Sequence, residues 1–168
     1  MEDTPGPDLA LESTPDPADT RVLEERLHAF SVAATGIVDG EFFGIFLRGT
    51  DGAVIGGADG WTWGGTCYVR HLFVPASMRQ RGHGTRLMAR IEDAARARRC
   101  EQIVLETHDF QAPGFYQKLG FKIAATIDDY PRGHQRFTFV KQLGSPTKPL
   151  HRGIKSSIGQ IPRDDDTT

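Results

Sequence analysis

Residues 78–87 read MRQRGHGTRL, a basic stretch punctuated by glycine, set between the strand-like run at 68–74 (YVRHLFV) and a long amphipathic pattern beginning at Thr85. A strand that turns through glycines into a helix commits the chain to a helix lying over the sheet. Gly82 and Gly84 let the backbone come close to a ligand with its N–H groups pointing outward. The unpaired N–H groups of the first helical turn and the positive end of the macrodipole favour an anion there, and Arg79, Arg81 and Arg86 add full charges. A pyrophosphate-bearing cofactor is the expected guest.

Two glycines alone also make an ordinary turn, so the surrounding pattern has to decide. There is no G-x-x-x-x-G-K-[ST], and the G-x-G-x-x-G pattern is incomplete. What remains, Arg79-x-x-Gly82-x-Gly84 after a strand and before a helix, resembles the acyl-CoA signature of the GNAT superfamily of N-acetyltransferases. A later stretch, 112–121 (APGFYQKLGF), resembles that superfamily's second motif and follows in the family's order. The stretches FQAPGFY (110–116) and DDYPRGH (128–134) resemble a bacterial subgroup of small GNAT proteins. The resemblance spans roughly residues 42–143.

Composition fits one globular domain in 168 residues. No apolar run reaches the roughly 18 residues of a spanning helix, and the acidic start is unlike a signal peptide. Cys67 and Cys100 are too few for a disulfide framework or a zinc site, so a cytoplasmic protein without a metal is expected. The net charge of -2 is unevenly spread: residues 1–20 hold six acids and no base, whereas residues 21–143 hold 16 bases against 13 acids. Arginines at 79, 81, 86, 90, 96, 98 and 99 follow the proposed anion site. Aromatic residues are not interleaved with them, so a nucleic-acid partner is not expected; without a spanning run, neither is a membrane. A monomer or homodimer is.

Along the chain, residues 1–18 combine prolines and glycine with acids and hydroxyls and predict a disordered acidic tail. Asp19 or Thr20 can cap a helix whose apolar residues Val22, Leu23, Leu27, Phe30 and Ala34 recur at helical spacing up to Gly36. Strands are predicted at 41–48, 53–63 and 66–74 as an antiparallel meander, with Trp61 and Trp63 sharing one face. Gly56, Gly57 and Gly60 in the second strand permit close approach of a backbone or a ligand. A helix at 85–99, a buried strand at 102–107, a short helix at 113–119 and strands at 121–127 and 135–141 complete the expected domain, 19–143. Residues 144–168 read as a second flexible tail.

The resemblance implies an α/β fold: a single mixed, mostly antiparallel sheet flanked by helices, the GNAT fold, in which the strands ending near Val74 and Thr107 splay around the pantetheine arm. It implies acetyl transfer from acetyl-CoA to a primary amine of a small molecule or to an exposed amino group. Backbone groups of Leu72, Phe73 and Val74 would align the pantetheine. Arg79, Gln80, Arg81, Gly82, His83, Gly84 and Thr85 would hold the pyrophosphate.

In the pattern F-Y-x-x-x-G-F, matched by Phe115, Tyr116, Gly120 and Phe121, the tyrosine would protonate the departing thiolate and contact the cofactor. Histone-acetylating relatives carry a glutamate where Tyr68 stands, and no carboxylate lies between Tyr68 and Val74. Glu106 and His108 are the substitutes for the base, with His134 more naturally a structural residue. Asp109 replaces the asparagine that many relatives have seven residues before the tyrosine. The acceptor would approach past Phe42, Phe43, Trp61, Trp63 and the hairpin at 128–134. The rival reading is a GNAT-like module that binds acyl-CoA as a sensor without turnover.

Overall fold

The structure is a computed structural model, in which residues 9–144 are described. The expected tail positions 1–8 and 145–168 lie outside the described residues. Six strands, β1 (Glu41–Arg48), β2 (Val54–Trp63), β3 (Thr66–Phe73), β4 (Gln102–His108), β5 (Lys122–Asp128) and β6 (Gln135–Gln142), form one sheet in the order β1-β2-β3-β4-β6-β5. Among the described strands only β3 and β4 run parallel, because α2 (His83–Ala97) carries the chain between them; the other neighbours are antiparallel. The mixed, mostly antiparallel sheet flanked by helices is the expected architecture.

The core lies on one face of the sheet. Cys67 and Val69 of β3, Ile103 and Leu105 of β4 and Phe139 of β6 are buried with Met88, Ile91 and Ala95, the inward stripe of α2. Tyr116 of the short helix α3 (Pro113–Lys118) joins the same cluster, so α2 and α3 share this face. Complete burial of a side chain such as Ile91 is worth about 2–3 kcal/mol. Phe43 packs here too, whereas Phe42, one residue away and on the opposite face, is 82% exposed.

The first helix, α1 (Pro17–Thr35), begins earlier than the sequence predicts. Asp16, not Asp19 or Thr20, is its cap: Oδ1 accepts the Ala18 N–H at 2.8 Å, and Pro17 takes the first helical position, where a missing N–H costs nothing. The helix therefore starts two residues inside the segment expected to be a tail. Gly36 ends it as expected, with φ +71 and its N–H on Val32 O. Leu23, Leu27 and Phe30 are 66–71% exposed, so their periodicity marks a helix without marking a buried face. Among the described residues no helix is long and apolar enough to cross a membrane.

The glycines of β2 serve the backbone approach expected of them. A Cβ on Gly57 would overlap Ile45 O of β1, and one on Gly60 would overlap Tyr68 O of β3.

Candidate active site

A cleft opens where β3 and β4 stop pairing. Their register runs from Thr66 opposite Gln102 to Val69 opposite Leu105 and ends there, although β3 continues to Phe73 and β4 to His108. The cause is visible on the other side of β3. Gly60 pairs with Val69 but Asp59 pairs with His71, so Arg70 is an extra residue in the strand. Such a bulge bends and twists the strand that carries it, which turns residues 70–73 away from β4. Leu72, Phe73 and Val74, the backbone expected to align pantetheine, border this opening.

Beyond the opening, Pro75 ends the strand and a single 3-10 turn, Ala76–Met78, leads into the basic loop. Gly82 is the N-cap of α2 at φ +77, in the left-handed region that suits glycine, and no side chain caps the helix. This contrasts with α1, where Asp16 occupies that role. The first N–H bonded back along α2 is that of Arg86, to Gly82 O at 3.0 Å, so those of His83, Gly84 and Thr85 lie ahead of the helical ladder.

Gly84 has a different reason to be glycine. A Cβ there would sit 3.2 Å from the Phe115 ring, so this residue lets α2 approach α3. Arg79 donates Nε to Val74 O at 3.0 Å, tying the loop to the end of β3, and Arg86 Nη2 lies 2.9 Å from His83 Nδ1. Gln80, at φ +59, and Arg81 are exposed in the same turn. Tyr116 is 7% exposed, with Phe115, Phe121 and Phe139 ring centroids 5.1–5.9 Å away. Burial pushes its phenol pKa upward, so the hydroxyl keeps its proton at neutral pH.

On the face away from α2, Tyr68 Oη donates to Glu106 Oε2 at 3.3 Å, and Arg136 donates to the same oxygen. The Arg136 guanidinium also lies 5.0 Å from the Tyr130 ring centroid, with Nε buried and without a protein partner. Glu106 lies just past the last paired residue of β4, and its carboxylate is engaged by Arg136 and Tyr68. His108 stacks on Phe110 at 5.1 Å and meets the edge of Tyr130 at 5.8 Å.

His134 binds Asp109 through Nδ1 at 3.1 Å. Desolvation pulls the Asp109 pKa up, but hydrogen bonds from His134 and from the backbone N–H groups of Phe110 and Gln135 outweigh it and hold the group below the usual carboxylate range. Asp128 and Asp129 are spent on their own hairpin, accepting from Gln135 Nε2 at 2.7 Å and from the Gly133 N–H at 3.0 Å.

Two groups had not been singled out from the sequence. Arg136 is one. The other is a triplet across β2 and β3: Asp59 Oδ1 lies 2.9 Å from His71 Nδ1, while Asp59 Oδ2 accepts from Arg70 Nη2 at 2.5 Å. Partial burial raises the Asp59 pKa, but the Arg70 and His71 contacts prevail and hold it below the usual range. Asp59 and His71 line a shallow groove of about 380 Å³ together with Phe46, Ile55 and Phe73. A plain hairpin register puts Arg70 opposite Asp59; the bulge brings His71 there instead. The presence of His71 between Tyr68 and Val74 was the available signal. Among the described residues no three His, Cys, Asp or Glu side chains are grouped to hold a metal ion.

Comparison with known proteins agrees with this architecture. Residues 8–121 match the model of the acetyltransferase (GNAT) family. The chain is 43% identical to blasticidin-S acetyltransferase of Streptomyces morookaense over 109 residues, 61% of this chain and 76% of that protein. It is 32% identical to acetyltransferase Atu2258 of Agrobacterium fabrum, over 80% of this chain and 97% of that one. A crystal structure of a Bacillus cereus acetyltransferase superposes with TM-score 0.66 at 24% identity, covering 79% of this chain and 97% of that one. An aminoglycoside 6'-N-acetyltransferase crystallised with coenzyme A superposes with TM-score 0.54 at 16% identity, covering 79% and 95%. The family model covers more than half of the chain, and the chain belongs to the GNAT family of acetyltransferases.

Proposed function

We propose that this acetyltransferase uses acetyl-CoA to acetylate a primary amine on a small molecule, or an exposed amino group, in the cytoplasm. The observation that carries the reading is the end of β3–β4 pairing at Val69 and Leu105, directly ahead of the uncapped start of α2. An extended arm fits the gap, and the pyrophosphate fits the N–H groups of His83, Gly84 and Thr85 with Arg81 nearby. The likeness to blasticidin-S acetyltransferase supports a small-molecule acceptor, and the FQAPGFY stretch supports a place in the subgroup of small bacterial GNAT proteins.

A thioester is already activated, so the protein has to position the amine, take its proton and protonate the leaving thiolate. Tyr116, buried and protonated, is assigned the last task. Glu106 is assigned the neutralisation of Arg136, which keeps an uncompensated cation from the path of a cationic amine, with His108, Phe110 and Tyr130 forming an aromatic wall beside it. The sensor alternative predicts binding without turnover. Calorimetry with acetyl-CoA followed by thiol release with a panel of primary amines tests the reading: amine-dependent release is expected, and acetyl-CoA binding with no release for any amine would leave the sensor in its place.

A further inference from the structure

We propose that His71, oriented by Asp59, takes the proton from the acceptor amine; this rests on the acetyltransferase reading above. The Nδ1 side of the ring faces Asp59 Oδ1 at 2.9 Å, so the neutral imidazole donates there and carries its lone pair on Nε2. The side chain is 72% exposed, which leaves Nε2 open to an acceptor. Arg70 holds the other oxygen of Asp59 at 2.5 Å, so the carboxylate is fixed and ionised and works as an orienting group. Asp59 on β2 and Arg70 on β3 are the charged groups facing the ring, and β1 contributes the apolar Phe46 to the same groove.

Position makes the same case. His71 follows the bulge by one residue, precedes Leu72 at the mouth of the opening, and lies on the face away from α2. Of the other candidates, Glu106 is engaged by Arg136 and His108 by an aromatic stack; His134 makes a similar pair with Asp109, but between the β5–β6 hairpin and the turn after β4 rather than on the bulged strand beside Leu72.

The amine arrives as an ammonium ion. His71 Nε2 takes one proton, and the freed lone pair forms the C–N bond at the thioester carbonyl. The C–S bond then breaks, and its electron pair leaves on sulfur, which takes the proton of Tyr116. The second nitrogen proton returns through solvent to the tyrosinate, and the imidazolium gives its proton to bulk water. Amide, CoA thiol and one proton are the products.

The test is thiol release by the full chain with acetyl-CoA and a panel of primary amines, across pH. His71→Gln is expected to lower kcat/KM by roughly 10²–10⁴ and to remove the acidic limb of its pH profile, with acetyl-CoA affinity by calorimetry unchanged. In His71→Ala, added imidazole is expected to restore turnover, a rescue that a packing role does not give. Asp59→Asn is expected to lower kcat by about tenfold with the amine KM little moved. A His71→Gln variant with parental kcat/KM and an intact acidic limb overturns the assignment. So does an Asp59→Asn variant that only raises KM, since the pair would then bind the amine. If the parent releases no thiol with any amine, the acetyltransferase reading falls and this inference falls with it.

Discussion

The first and last residues of β3 meet β4 in different ways. From Thr66 to Val69 the two strands are in register, and their inward side chains, Cys67, Val69, Ile103 and Leu105, are all buried under α2. From Arg70 to Phe73 there is no partner on that side, and Arg70, His71 and Phe73 are exposed. Glu106 and His108 line the matching end of β4. One inserted residue in the β2–β3 ladder separates a segment that holds the sheet together from a segment that presents charge and imidazole to a cleft. Burial is concentrated in the paired half, and the proposed chemistry in the open half.

Adjacent residues of β4 give the sharpest contrast. Leu105, 1% exposed in the paired half, should cost about 2–5 kcal/mol of unfolding free energy as Leu105→Ala, read from urea melts. Glu106→Gln should act less on stability and more on substrate binding. Its expected stability cost is about 1–2 kcal/mol, from the lost charge-assisted bonds to Arg136 and Tyr68. Its KM for cationic amines should rise by roughly tenfold, equivalent to about 1.4 kcal/mol. Equal effects of the two substitutions on stability, with no change in KM, would dissolve the distinction between the halves.

A smaller effect is expected at the back of the packed face, where Glu92 of α2 accepts from Lys141 Nζ at 2.5 Å and from Arg96 Nη2 at 2.8 Å. Partial burial raises the Glu92 pKa, but these two cations outweigh it and hold the carboxyl below its ordinary value. A depressed folded pKa adds stability above the unfolded value and loses it as pH falls through the folded one. Glu92→Gln should therefore cost about 1 kcal/mol at pH 7, and the gap from the parent should close on acidification below the usual carboxylate range. A gap that persists at acid pH would assign the loss to packing.

Much of this division is legible in the sequence, and the illegible part has a physical reason. Alternation places Trp61 and Trp63 on one face, and the tight turn Gly64-Gly65 sets Tyr68 opposite Trp61, with ring centroids 4.5 Å apart. The parallel register then brings Tyr68 to Val104 and within reach of Glu106. Past Val69 plain alternation fails, because the bulge shifts it by one residue, and its one trace, the adjacent polar pair Arg70-His71, also fits the solvent-facing end of a strand. The contact of His71 with Asp59 therefore has no plain register behind it, and nothing near Glu106 in the sequence points to Arg136, a residue 30 positions later that the β4–β6 pairing brings beside it. The start of α1 was misjudged for a simpler reason: Asp16 and Pro17 lie in a proline-rich stretch that reads as a tail, yet together they make a cap and a first helical residue.

The central claim, that the opening between β3 and β4 is an acetyl-transfer site served by Tyr116, is tested most directly by Tyr116→Phe. The substitution keeps the ring that packs on Phe121 and Phe139 and removes only the proton. Measured where chemistry limits the rate, kcat should fall by at least ~10-fold, toward the roughly 10²–10⁴ typical of general acid–base catalysis, with acetyl-CoA affinity little changed. A Tyr116→Phe variant with parental kcat would contradict the account and reduce Tyr116 to a packing residue.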